Sequence, residues 1–455
     1  MLKRYGMFHI FFHFTMNKHI RIPVAFFLLF SAVFFSTQPA EARDALTDTH
    51  LDSTVRDHKL IFFGKGEEPA PDSTATLIYK FYEDQFRHFS DPLAPYFLFL
   101  SKDSKLAMGI GGCVRMRGYF DWGGALPAPG FAPYLIPMRK DPLRMKYLGT
   151  TPAGSALFFR VIGRNKRLGD YQLYIEANFN GYEARDFHLK KAYAIINDFT
   201  IGYANSTFSD PMALPPTVDA SGPNAKLSAT NVLVRWMHNF KKGFSIAASV
   251  ETPSNQIDVT ADTTAKVSQY IPDIAAFGQY SWGRSNHVRL AGILRTHSYR
   301  NLLLGRNRNV LGWGVQASTA FHPIPEITVY GAFNFGHGYA SLGGDWLMGN
   351  YDLVPDPDRP GKLYSPFCYG GYGAVQYNFT PDLFVSATFG GSRYDPSKGA
   401  APSEYKEGLY FAANVYWYLT QRISCAAEFN LGRRENFDGE ARWARRVGLM
   451  AQFSF

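Results

Sequence analysis

Basic side chains that alternate with apolar ones are the residues here whose type and spacing suggest a chemistry. Arg115 and Arg117 alternate with Val114 and Met116, and Arg160, Lys190, Arg235, Arg289, Arg295 and Arg446 sit in similar settings. Glu176, Glu251 and Glu428 are acids at equivalent places. A guanidinium presents a planar fork that grips a carboxylate or phosphate through two parallel bonds. The chemistry this pattern offers is the attraction and binding of anions, not bond-making. No HExxH, GxSxG, CxxC or Walker-type phosphate loop occurs, so no enzymatic activity, cofactor or metal is expected. His337, between Gly336 and Gly338, has no partner at metal-ligand spacing, and the glycines of 370–373 suit a strand with close neighbours better than a nucleotide loop. Cys113, Cys368 and Cys425 lie far apart and form no disulfide framework.

The elements that must present these side chains are strands. From Ser104 onward the chain alternates with period two over approximately 104–122, 155–163, 169–178, 187–196, 198–204, 231–240, 243–251, 272–281, 286–297, 309–321, 324–335, 368–380, 382–393, 406–420, 422–433 and 442–455. The segments 198–204 and 272–281 alternate weakly. In 442–455, Val447, Leu449, Ala451, Phe453 and Phe455 oppose Arg446, Gly448, Met450, Gln452 and Ser454, so Arg446 lies on the side away from the apolar row. The connections alternate too. Short turns fall at 164–168, 197–198, 241–243, 283–285, 323–325, 380–382 and 420–421, between longer loops at 123–154, 205–230, 252–271, 298–308, 336–367, 394–405 and 434–441. A soluble sandwich gives no reason for such regularity. A transmembrane antiparallel β-barrel of about sixteen strands, with short periplasmic turns and long extracellular loops, does.

Composition agrees. Aromatic residues reach 16% of the chain, as rows of rings at two membrane interfaces would use, and only one run, near the start, approaches the roughly 20 apolar residues that a membrane-spanning helix needs. One apolar run, Ile22 to Ser36, follows Lys18 and Arg21 and precedes Ala40-Glu41-Ala42; this reads as a signal peptide over 1–42, with Met16 as the start. Residues 43–103 read as a periplasmic leader, polar over 43–73, with a short amphipathic helix at 74–89. The barrel is expected over 104–455, in the bacterial outer membrane with lipid around it. The net charge of +9 is spread along the chain, and a secreted protein of this kind is not expected to bind nucleic acid.

Strand parity turns the eight bases and three acids inward. Sixteen strands leave an aqueous channel, so the expected function is passive diffusion of small hydrophilic solutes with a preference for anions. A non-selective general porin is the alternative, and an adhesin or barrel hydrolase a more distant one. The third long loop, 205–230, carries Phe208, Asp210, Pro211, Pro215, Pro216 and Asp219; its prolines stiffen it, and it is expected to fold inward as a constriction. Its run Ser206-Thr207-Phe208-Ser209-Asp210, Ala213-Leu214-Pro215, Asp219 and Gly222-Pro223 resembles the third loop of the DcaP-like trimeric porins. The stretch Gly109 to Gly112 through Arg115, Arg117, Gly118, Tyr119 and Asp121 is similar to that family's first strand. The resemblance implies a sixteen-stranded homotrimer passing small anionic solutes, including carboxylates. It also implies an N-terminal periplasmic coiled coil, for which the 74–89 segment lacks heptads.

Overall fold

Residues that alternate between lipid and lumen have one stable arrangement, a closed sheet with every backbone group paired. The computed structural model describes residues 59–64, 96–103, 105–124, 126–139, 141–165, 167, 169–180, 186–283 and 286–455. The signal peptide and the 74–89 helix lie outside the described residues. No described helix is long and apolar enough to cross a membrane. The strands are β1 (Lys59–Phe63), β2 (Phe97–Ser101), β3 (Leu106–Trp122), β4 (Lys146–Thr151), β5 (Ala156–Asn165), β6 (Gly169–Asn180), β7 (Asp186–Ile196) and β8 (Phe199–Asn205). They continue as β9 (Thr230–Asn239), β10 (Phe244–Glu251), β11 (Thr264–Lys266), β12 (Asp273–Trp282), β13 (Asn286–Asn301), β14 (Arg306–Ile324), β15 (Ile327–His337), β16 (Val354–Pro355) and β17 (Leu363–Tyr364). The last are β18 (Phe367–Thr380), β19 (Leu383–Asp395), β20 (Tyr405–Tyr418), β21 (Ile423–Asn436) and β22 (Ala441–Ser454).

Each stave pairs antiparallel with its sequence neighbour, and β22 pairs with β3 from Arg445↔Trp122 to Ser454↔Cys113, which closes a sixteen-stranded barrel. Phe455 completes the seam: its amide donates to the Gly112 carbonyl at 2.9 Å, and its carbonyl accepts from the Gly112 amide at 2.8 Å. β4 and β5 form one stave, pairing with the two halves of β3 around an irregular step at 152–155. The outer face is apolar, with Val114, Val232, Leu290, Leu449 and Phe453 among its exposed side chains. Rings such as Tyr280, Trp282, Phe240 and Phe244 stack along the short-turn rim.

Three expectations need correction. The 298–308 loop is a hairpin: β13 and β14 stay paired out to Asn301↔Arg306, because Tyr299 and Val310 pack on Ile257, Leu353 and Leu363 and hold the strands together beyond the barrel wall. The 123–154 loop ends early, at β4. The leader is not wholly polar in structure either. β1 pairs parallel with β2, β2 pairs antiparallel with the start of β3, and Leu60 and Phe62 pack against Leu98, Leu100 and Ala107.

The wall is uneven in height. β8 has 7 residues and β10 has 8, whereas β13 has 16 and β14 has 19. β8 therefore releases the chain low in the barrel, and the 205–230 loop starts inside it.

Candidate functional site

The lumen is where the inward side chains meet three loops that fold into it. Loop 205–230 lies against the inner wall for most of its length, with Phe208 wholly buried and Asp210, Pro211, Pro215, Pro216 and Asp219 also buried. Loop 338–366 adds Tyr339 and Trp346 to the same cluster as Phe208 and Leu227. Loop 123–145 adds Leu126, Phe131 and Ile136 against Tyr410 on β20. The sequence leads to an aqueous channel narrowed by an inward loop; in the structure three loops enter it and build an internal core of their own. Glycines on the wall make room for it. A Cβ at Gly370 would stand 2.7 Å from the Gly391 carbonyl and 3.0 Å from the Trp346 ring.

The wall acids mainly hold these loops. Glu428 accepts the amides of Val218 and Asp219, both at 2.8 Å, and the side chains of Asn414 and Asn430. Glu251 accepts the Thr207 amide at 2.8 Å and the Asn231 amide group. Asp210 fixes the first turn of the loop. Its carboxylate lies 2.8 Å from His287 Nε2, accepts from Ser318 Oγ at 2.6 Å and faces Arg289 at 3.6 Å. Burial raises its pKa, but the Arg289 and His287 charges outweigh that and hold it well below the usual carboxylate range. Pro216 offers its carbonyl to Asn414 at 2.9 Å. Asp219 accepts the Phe131 amide at 2.7 Å, tying loop 123–145 to loop 205–230.

The eight expected inward bases have distinct surroundings. Arg446 forms a two-pronged pair with Asp121, at 2.5 and 2.9 Å, and also donates to the carbonyls of Ala128 and Pro129. Arg295 pairs with Asp273 at 3.0 Å and Asp352 at 3.4 Å. Arg289 donates to Gln279 and stacks 4.1 Å over Phe277. Arg235 donates to the Asn205 carbonyl and Arg160 to Gln172. Arg115 donates to Gln452 at 2.7 Å, and Arg117 to the Ala153 carbonyl at 2.7 Å. These two guanidinium ends converge: a Cβ on Gly154 would lie 2.9 Å from one and 3.3 Å from the other. Lys190 sits at a bulge where the β6–β7 register slips between Glu176 and Ala177. The parity rule fails there, so both Lys190, at 2.7 Å, and Lys191, at 3.9 Å, reach the fully buried Glu176.

Sequence parity missed Asp121 and Asp273, although both share the inward register of Arg115 and of Phe277. The count of eight bases against three acids is therefore too one-sided. Lys226, His287, Asn224 and Asp345 carried no signal, because their roles depend on where loops dock. Asn224 donates to Gly408 and Ser392, and Asp345 accepts from Tyr405 at 2.9 Å. Among the described residues no group of His, Cys, Asp or Glu is placed to hold a metal.

Burial pushes the Asp345 pKa up to about 7 against the pull of Tyr405, Asn224 and Ser392. A carboxyl raised this way favours the folded loop fully below its unfolded pKa, and the contribution is lost as pH rises through about 7. The 338–366 loop should therefore loosen between about pH 4 and pH 7.5, read as increased open-channel current noise in a planar bilayer. Asp345→Asn should remove that pH dependence; equal noise at both pH values in the parent protein would contradict the assignment.

A closed sixteen-stranded barrel with an apolar belt, one rim of short turns, one rim of long loops and an inward loop defines an outer-membrane β-barrel of the porin fold. The chain is similar to the outer membrane channel DcaP of Acinetobacter baumannii, with 19% identity over 78% of this chain and 99% of that one, at a TM-score of 0.65. It is also similar to an anion-selective porin from Comamonas acidovorans, with 9% identity over 77% of this chain and 100% of that one, at a TM-score of 0.50. No family model matches the sequence, and no curated protein matches it.

Proposed function

We propose that this chain is a porin for the passive diffusion of small hydrophilic solutes, with a preference for anions such as small carboxylates. The observation that carries the preference is local. Arg115 and Arg117 converge over Gly154, and Arg117 has no ion pair among the described residues. The wall acid Glu428 is occupied by loop amides. Charge of one sign in a narrow, low-dielectric-walled passage concentrates the opposite ion there. In this reading loop 205–230 is the constriction, held by Asp210 at one end and by Pro216 and Asp219 further along.

In a bilayer under a potassium chloride gradient the reversal potential should favour chloride. Arg115→Gln with Arg117→Gln should reduce the chloride preference about threefold or more, as expected when two focused charges are lost. Cation preference in the parent protein would overturn the proposal. A non-selective general porin is the second reading, favoured by the wall pairs Arg446–Asp121 and Arg295–Asp273, which neutralise much of the inward charge. Liposome swelling with small carboxylates against neutral sugars separates the two, since charge-blind uptake supports only the second.

The homotrimer is proposed to form through the low wall of β7 to β10. There Phe187, Leu189, Ile201, Val232 and Val250 expose apolar surface on the shortest staves. The native mass of the detergent-extracted sample used for the bilayer work should be that of three chains; a single-chain mass would refute it.

A further inference from the structure

Lys226 lies on the inward loop, beyond Gly222-Pro223, and its backbone is held on both sides. Its amide donates to the Pro223 carbonyl at 3.1 Å, and its carbonyl accepts from the Gly344 amide at 2.7 Å. Ala225 and Leu227 beside it are buried, and Asn224 is pinned to β19 and β20, so this stretch of loop is fixed at successive residues. The Lys226 side chain is instead half-buried and forms no ion pair or hydrogen bond among the described residues. It turns back along the loop. A Cβ on Gly222 would stand 3.3 Å from Nζ. Gly222 has φ of 65°, so a glycine both suits the backbone there and leaves the ammonium its space.

On the wall, Arg117 has a buried Nε with no hydrogen-bond partner among the described residues. Burial lowers the Lys226 pKa; Asp219 opposes this, and the Arg117 charge adds to the lowering. A Cβ on Gly222 would also lie 3.6 Å from Thr217, and the next residue, Val218, packs with Met450 of β22, the register partner of Arg117, so the loop carries Lys226 to the part of the wall that holds Arg117. Asp219, the one nearby loop acid, is engaged by the amides of Phe131, Ser221 and Gly222. Two cations without ion-pair partners, one on the loop and one on the wall, repel each other unless something negative lies between them.

We propose that Lys226 and Arg117, with Arg115 beside them, form a binding site for a compact oxyanion, a carboxylate or a phosphate, which bridges the loop and the barrel wall. The site rests on the anion-preferring reading above and gives it a specific place. The guanidinium fork supplies directional bonds, and the ammonium supplies a point charge on a flexible stem. Chloride lacks the geometry for the fork, so the site distinguishes oxyanions from simple halide.

The test is channel current in a planar bilayer in potassium chloride, with inorganic phosphate or acetate added in separate arms. Added oxyanion should reduce the current of the parent protein saturably. Lys226→Met should raise the half-blocking concentration about tenfold or more, the loss expected for a charge-assisted bond, and Lys226→Arg should restore block. A response to phosphate alone would assign the site to phosphates, and a response to both would assign it to oxyanions in general. Block unchanged in Lys226→Met, or no block in the parent protein, would overturn the site. If chloride preference persists in that case, the porin reading survives; cation preference in the parent protein would instead sink the reading itself. Heat-modifiable migration of the variant confirms that it is folded.

Discussion

Replacing Asp210 by alanine is expected to unseat the inward loop and raise single-channel conductance. Asp210 is buried and touches His287, Ser318 and Arg289 on β13 and β14, while its own chain caps the turn at Met212 through a 3.2 Å bond. Removing one member of a buried charged cluster leaves the others uncompensated, at a cost of about 3–5 kcal/mol. The neighbouring anchor at Thr207 is a single amide bond to Glu251; Phe208 packs in a cluster with Ile293 and Tyr339 and donates its amide only within the loop, to Ser206 Oγ, and the Ser209 carbonyl accepts from Arg289, itself a member of the Asp210 cluster. Those contacts cannot offset a loss of that size locally, so the loop's first half should detach. Asp210→Asn keeps the hydrogen bonds to Ser318 and Met212 within reach and should have the smaller effect. Conductance equal to that of the parent protein in Asp210→Ala would show that the loop does not limit the pathway.

Arg446→Met is expected to destabilise the barrel strongly, and Arg446→Met combined with Asp121→Asn is expected to be milder. The two side chains join the closing strands β22 and β3 across the seam, where Arg446 pairs with Asp121 and stacks 4.2 Å over Tyr119. Methionine alone leaves the Asp121 carboxylate buried, with only the Leu126 amide bonded to it at 3.1 Å. An isolated buried charge costs several kcal/mol, whereas removing both charges leaves two groups that the interior tolerates. Urea unfolding followed by heat-modifiable migration gives the comparison. A double variant less stable than the single one would mean that the pair contributes net attraction, not only mutual compensation.

Both effects depend on features that were legible to different degrees. Counting back from Phe453 and Phe455 turns Arg446 away from the apolar row, on the side where it pairs with Asp121. Strand parity is a local property, since successive side chains on an extended backbone point to opposite faces whatever they pack against. For the same reason the turns near Asn197, Gly243 and Gly283 were readable: each carries a left-handed φ that its residue type allows. Lys190 shows the limit. One extra residue in β7 shifts the register, and the bulge depends on the fit of β7 to β6.

The sequence by itself determined the alternation, the alternating lengths of the connections and so a barrel of this size with Arg115, Arg117, Arg160, Arg235, Arg289, Arg295 and Arg446 turned inward. Each of those follows from the chain's own period and from the exclusion of charge by lipid. Tertiary structure alone decided what those cations face. Asp121 and Arg446 are 325 residues apart in sequence, and Asp210 meets His287 across 77. Lys226 is carried to the part of the wall that holds Arg117 only because Asn224, Gly344 and Glu428 dock the loop where they do. Contacts between a loop and a distant wall depend on the closure of the whole sheet, and no local period encodes that.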